Sequence, residues 1–260
     1  MNKHEQFKTE CEDEIARQGA DASLKEATRT WMNCANAAKY SYHFEWMGRP
    51  IIQYPQDIVA MQEIIWRTQP DLIIETGIAH GGSLIFMASM LELNALCGGP
   101  ANASILGIDI DIRSHNRSAI EAHPMARRIE MIEGSSISEE VIARVRETAR
   151  GKKRVLVSLD SNHTHDHVLR ELRAYAPLVT VGSYCVVFDT VIEDMPADMF
   201  PDRPWRVGDN PKTAVHAYLE ETKAASTGSS DRECRFEVDG QVDAKLLITV
   251  APGGFLKRVG

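Results

Sequence analysis

One pattern repeats along most of this chain: a short apolar run closes on an acid, and a stretch with helical spacing follows. The runs are 72–74 ending in Glu75, 105–108 ending in Asp109, 129–132 ending in Glu133, 155–159 stopped by Asp160 and 184–188 stopped by Asp189. Amphipathic stretches starting at Pro55 (Ile58, Met61, Ile64, Ile65) and at 83–96, 136–150 and 164–175 separate them. Strands that are apolar throughout and alternate with helices form a parallel sheet covered on both faces. Two further runs, 234–238 and 246–250, complete seven expected strands. The fold class is therefore α/β, a Rossmann-like doubly wound sheet. The helix over 136–150 is expected to open on a capping box of Ser136 and Glu139 and to stop at Gly151.

Residues 1–50 carry helical spacing around Leu24, Ala27, Trp31 and Cys34 with no clear strand, so they read as an N-terminal helical extension to a domain spanning 51–260. Residues 192–211 form a long Pro-rich irregular stretch, the kind of loop that serves as a lid or binding segment. The net charge is −8, from 29 basic and 37 acidic side chains, and no basic stripe stands out. Grip on a phosphate backbone needs such a stripe, which excludes nucleic acid as the natural partner. No apolar run approaches the ~18–20 residues of a membrane span, and the N-terminal residues lack the apolar core of a signal peptide. Five scattered cysteines, with no C-x-x-C pair, fit reduced thiols and a cytoplasmic location. A homo-oligomer is compatible with this composition.

In a doubly wound sheet, ligands bind beyond the carboxyl ends of the strands. Glu75, Asp109, Glu133, Asp160 and Asp189 all stand there. A single acid at such a place is often only a turn or cap residue; five together suggest a site. After the first strand comes Glu75-Thr-Gly77-Ile-Ala-His80-Gly81-Gly82-Ser83, where glycines allow close backbone approach and a helix begins. The spacing is not the G-x-G-x-x-G of a dinucleotide site, and Glu75 at the loop's head would repel a pyrophosphate. A ligand with an ammonium group near Glu75 and a ribose diol near Asp109 fits better, and S-adenosylmethionine has both.

The segments around 72–83, LGIDID with Asp109, Glu133-Gly134-Ser135-Ser136, SLDSNHTHDHV with Asp160 and VVFDT with Asp189 resemble the donor motifs of class I methyltransferases. More narrowly they resemble the cephalosporin hydroxylase-like family, which includes rhamnosyl O-methyltransferases, from about Trp46 to the C-terminus. The resemblance implies a seven-stranded class I methyltransferase sheet and O-methylation of a sugar hydroxyl. It implies that Glu75, Gly77 and Ser83 hold the amino-acid part of the donor, that Asp109 takes the ribose hydroxyls, and that Gly134 and Ser135 flank the adenine.

Asp160 and Asp189 end neighbouring expected strands, so their carboxylates can converge; a divalent cation, Mg²⁺ with Mn²⁺ or Ca²⁺ as alternatives, would relieve their repulsion. Similarity to catechol-type enzymes makes Thr190 the third metal position, occupied there by an amide, and His163 the general base. An imidazole exchanges protons near neutral pH, which suits removal of the acceptor's proton. Several alternatives stay open. His163, His165 and His167 could form a zinc cluster, or the last two could be solvent-facing. His80 could touch a ligand or only fill the turn. Trp205 in the RPW segment could stack on a sugar or pin the loop, and 54–57 could line the mouth or only start a helix. A sugar oxidoreductase using NAD, and a non-catalytic partner with a vestigial donor pocket, are the rival functions. The expected partner is a small-molecule or glycan acceptor.

Overall fold

The computed structural model describes residues 2–226 and 234–260. Its centre is a seven-stranded sheet. Strands β3 (Leu72–Thr76), β4 (Ser104–Asp109) and β5 (Ile129–Glu133) run outward on one side. Strands β6 (Val155–Leu159) and β7 (Tyr184–Val187) continue on the other, and β9 (Phe255–Arg258) lies antiparallel between β7 and β8 (Phe236–Val238). The order is β5-β4-β3-β6-β7-β9-β8, so the winding reverses between β3 and β6. Both of those strands are buried along their whole length, as expected for a parallel pair with helices on each face.

Helices α3 (Pro55–Thr68) and α4 (Gly82–Leu96) cover one face, burying Met61, Ile64, Ile65, Ile85 and Phe86 against Ile73 and Ile105. Helices α6 (Glu139–Ala149), α7 (His165–Tyr175) and α8 (Pro211–Ser226) cover the other, with Val145, Leu172 and Val215 against Ile74 and Val157. Helix α5 (Ser114–Glu121) follows β4. Helices α5 and α8 are not expected from the sequence reading, while α3, α4, α6 and α7 agree with it, except that α6 starts at Glu139. Its cap is Ser138, whose hydroxyl accepts the Val141 amide; Ser136 is engaged elsewhere.

Two elements depart from expectation. The N-terminal segment is helical over α1 (Lys3–Ala20) and α2 (Ala22–Ala37), but a hairpin of β1 (Phe44–Trp46) and β2 (Arg49–Ile51) straddles residue 50. Its turn residues Met47 and Gly48 both have positive φ, the geometry a two-residue hairpin loop needs. The apolar run 246–250 is not a strand: α9 (Gly240–Leu246) ends there. The buried Asp57 carboxylate, on α3, accepts the Thr249 hydroxyl and the Val250 amide. A side chain from far away in sequence thus satisfies backbone that would otherwise seek a strand partner. The last strand is Phe255–Arg258, partly polar because it lies near the sheet edge.

Candidate active site

The site is built where β3 and β6 part. The Asp160 amide donates to the Thr76 carbonyl oxygen at 2.9 Å, and the Gly77 amide to that of Ile108 at 2.8 Å, so the chain ends after three neighbouring strands are tied together. Asp160, His163 and Asp189 meet here, each half-buried, with one potential ligand atom apiece, all within 4.8 Å of one another. His163 Nε2 is 3.4 Å from Asp189 Oδ2. His163 and Asp189 both adopt the left-handed backbone region, at φ 63° and 56°. Non-glycine residues adopt it rarely and at a cost of about 1–3 kcal/mol, so the surrounding fold imposes it. Burial, followed by repulsion from Asp189, Glu171 and Asp57, raises the Asp160 carboxyl well above its ordinary range. Packing two acids this close is unfavourable unless a proton or a cation is shared between them.

Glu75 lies one strand over and is fully buried. Its Oε2 accepts the Ser83 hydroxyl at 3.0 Å, while Oε1 has no partner. Burial raises this carboxyl well above the usual range, with Asp160 and Asp109 adding repulsion and the Ser83 bond opposing. An orphaned buried carboxylate oxygen below a glycine loop fits the ammonium group of an amino-acid ligand. Asp109 Oδ2 accepts the amides of Ile78 and Ala79 at 2.8 and 3.2 Å, and so holds the loop from the neighbouring strand tip. Those two amides are therefore not free to cradle a phosphate. From outside, Arg49 donates twice to the His80 carbonyl and once to Asn116, whose own amide donates to the Ala79 carbonyl at 2.9 Å. The loop is clamped through both its amides and its carbonyls. Gly134 and Ser135 follow β5, with the Gly134 amide bonded to the Asp109 carbonyl.

A cavity of about 500 Å³ opens over this floor. Gly77, Ser83, Asp160, His163 and Asp189 line it; Glu75, Asp109, Gly134, Ser135 and Thr190 do not. Its outer wall comes from the 192–211 loop, through Met195, Met199, Phe200, Arg203 and Trp205. The Trp205 indole meets His163 and Phe200 edge to face, at 6.5 and 5.6 Å between ring centroids. Asn210 closes the loop's far end, accepting the Lys212 and Thr213 amides and donating to Glu193. His80 also lines the cavity.

Sequence reasoning missed the opposite wall: Lys39, Ser41 and Tyr42 before the hairpin, Pro50 and Ile51 on its second strand, and Ile52 and Gln53 after it. No local motif marks them; they reach the site because the hairpin packs on α4. Residues 54–57 sit behind this wall, with Tyr54 bonded to Asn36 and Asp57 committed to Thr249 and Val250.

Thr190 is fully buried, and its hydroxyl donates to the Pro252 carbonyl at 2.9 Å. The nearest companion of the two acids is His163. The three histidines do not converge on one centre. His165 Nδ1 pairs with the Thr213 hydroxyl, while His167 Nε2 lies 3.0 Å from the Ser136 hydroxyl and 3.5 Å from buried Glu171.

The strand order, the clamped glycine loop and the acids at the strand tips define a class I methyltransferase fold. The family model described as Rhamnosyl O-methyltransferase/CmcI matches residues 38–259, and the chain belongs to that family. It is 31% identical over 219 residues to a rhamnosyl O-methyltransferase of Mycobacterium tuberculosis, an overlap of 82% of this chain and 77% of that protein. Among solved structures, CmcI with Mg and SAM is 16% identical, with a TM-score of 0.52 over 84% of this chain and 78% of that one. The O-methyltransferase TomG from Streptomyces achromogenes, in complex with SAM, is also 16% identical, with a TM-score of 0.52 over 90% of each chain. At that identity the two structures speak to the fold. Among the described residues, no helix is long and apolar enough to cross a membrane.

Proposed function

We propose that this chain, a methyltransferase by family and fold, transfers the methyl group of S-adenosylmethionine to a sugar hydroxyl with the help of a divalent cation. The observation that carries the reading is the meeting of Asp160, His163 and Asp189 on the floor of a cavity bordered by the glycine loop. When bound, the donor supplies an electrophilic methyl group, and the cation supplies positive charge that makes an alcohol easier to deprotonate.

The chain's own residues do the rest. Glu75 Oε1, lacking a partner, accepts the donor's ammonium group, with Gly77 and Ser83 beside it. Asp109 accepts the ribose hydroxyls from the next strand tip, and Gly134 and Ser135 leave room for the flat base. Asp160 and Asp189 hold the cation, for which hard carboxylate oxygens are suitable ligands. His163 takes the acceptor's proton at Nε2, and Asp189 at 3.4 Å favours the imidazolium that results. Trp205 offers an apolar face to a sugar ring, and the lid it sits on excludes water from the reacting atoms. All five cysteines are free, in keeping with a reducing cytoplasm.

Titration calorimetry with S-adenosylmethionine and its demethylated product tests the donor. Failure of both to bind well-folded protein rejects the function. His163→Ala should lower turnover by about 10²–10⁴-fold, the range for loss of a general base, with donor affinity nearly unchanged. A large loss of donor affinity would reject the role given to His163.

A further inference from the structure

The cavity's charges are unevenly distributed. Its floor holds Asp160 and Asp189, and its outer edge holds Lys39, Arg203 and Asp202, all exposed, with His80, His163 and Tyr42 the remaining titratable groups. Lys39 and Arg203 are far apart in the sequence: one follows α2, the other lies in the loop after β7. Neither the Lys39 ammonium nor the Arg203 guanidinium makes an ion pair or a hydrogen bond among the described residues. This holds in a chain where acids outnumber bases by 37 to 29. Their backbones nevertheless fix them in place. Lys39 is in the left-handed region at φ 55°, at the head of the turn that leads to the hairpin. The Arg203 amide donates to the Phe200 carbonyl, and its guanidinium carbon lies 6.0 Å from the centroid of the Trp205 ring, whose edge contact reaches His163.

We propose that Lys39 and Arg203 are an anion-recognition pair at the mouth of the acceptor cavity, so that the alcohol methylated belongs to a sugar that itself carries a carboxylate or a phosphate. The inference rests on the methyltransferase reading, in which a cation offsets the two floor acids and leaves the pair facing the acceptor. A guanidinium is a flat fork that matches both anions, and an ammonium adds a compact second charge. The stack of Arg203 on Trp205 would place the anionic end of a sugar beside the indole and a hydroxyl of the same ring toward His163. Asp202, at the same edge, repels an anion, so the two positive charges of the pair have to outweigh it.

The test is calorimetry on the full chain loaded with the demethylated donor and Mg²⁺, with methyl glucuronide, glucosyl phosphate and neutral methyl glucoside as probes. The charged probes should bind more tightly than the glucoside, and which of the two binds better separates carboxylate from phosphate. Lys39→Ala and Arg203→Ala should each reduce the charged-over-neutral preference by about fivefold, the upper range for an exposed charge pair. Raising the salt to about 1 M, where screening acts over about 3 Å, should remove most of that preference. Lys39→Ala leaves the Trp205 loop alone, so it separates lost charge from a disturbed lid. Donor affinity, measured in the same instrument, reports independently on the methyltransferase reading. Equal binding of charged and neutral probes, no binding of any of them, or a preference unchanged in both variants overturns the proposal.

Discussion

Gly77 is where the glycine loop and the tip of β6 press closely together, and replacing it with alanine gives two separable costs. Its φ is +91°, which costs a residue with a side chain about 1–2 kcal/mol. A Cβ there would stand 1.9 Å from the Asp160 carbonyl oxygen and 2.7 Å from its carbon, both backbone atoms. No flexible side chain can yield, so the strand tip must move, at a further cost of about 1–3 kcal/mol by analogy with overpacked cores. Gly98 is the control: its φ is +89°, but an added Cβ meets nothing within 4 Å. Gly98→Ala should therefore lose about 1 kcal/mol and Gly77→Ala about 3, a fall in Tm of roughly 6–12 °C for a domain of this size. Displacing Asp160 by about an ångström should also cut kcat/KM by about 100-fold. Thermal melts of both variants, with methyl-transfer assays, provide the check. If Gly77→Ala melts with Gly98→Ala and keeps full activity, the close packing of Gly77 on Asp160 is wrong.

Two further outcomes follow from groups around the floor. Asp57, fully buried, has its carboxyl raised to about 7 by burial, against its hydrogen bonds to Thr249 and Val250, from an ordinary 3.8. The fold thus favours the protonated form: its contribution is complete below about pH 4 and is lost as pH rises to about 7, a swing of about 4 kcal/mol. Denaturant melts should show a shallower loss of stability over that window in Asp57→Asn, and an unchanged pH slope would contradict the assignment. Arg49→Lys keeps the charge but not the fork that grips the His80 carbonyl and Asn116. Donor affinity should fall about tenfold, the scale of a lost charge-assisted bond, while the far-ultraviolet spectrum stays native. Wild-type affinity in this variant would mean that the loop holds its shape without the clamp.

How much of this was legible depends on where each residue's partner lies. The central strands and the acids that end them could be read directly, because apolar runs and their stops are local. Convergence of Asp160 with Asp189 followed from parallel strands placed side by side. The misreadings share a cause: partners distant in sequence. Residues 246–250 look like a strand until Asp57, nearly two hundred positions earlier, supplies their hydrogen bonds. Ser136 looks like a helix cap, but it sits beside His167, and Ser138 does the capping. Thr190 sits where an amide ligand would be expected, yet the Pro252 carbonyl takes its hydroxyl. The Lys39 to Gln53 wall carries no motif, since three-residue strands leave little periodicity and the wall owes its place to packing on α4.

The central claim is that carboxylates at the strand tips bind a divalent cation beside the acceptor. Mn²⁺ titration followed by electron paramagnetic resonance tests this directly, with wild type, Asp160→Asn and Asp189→Asn compared. One tight site per chain is expected in the wild type, and its loss in each variant. Mn²⁺ that stays free in the wild type, or that binds both variants as tightly, would contradict the claim.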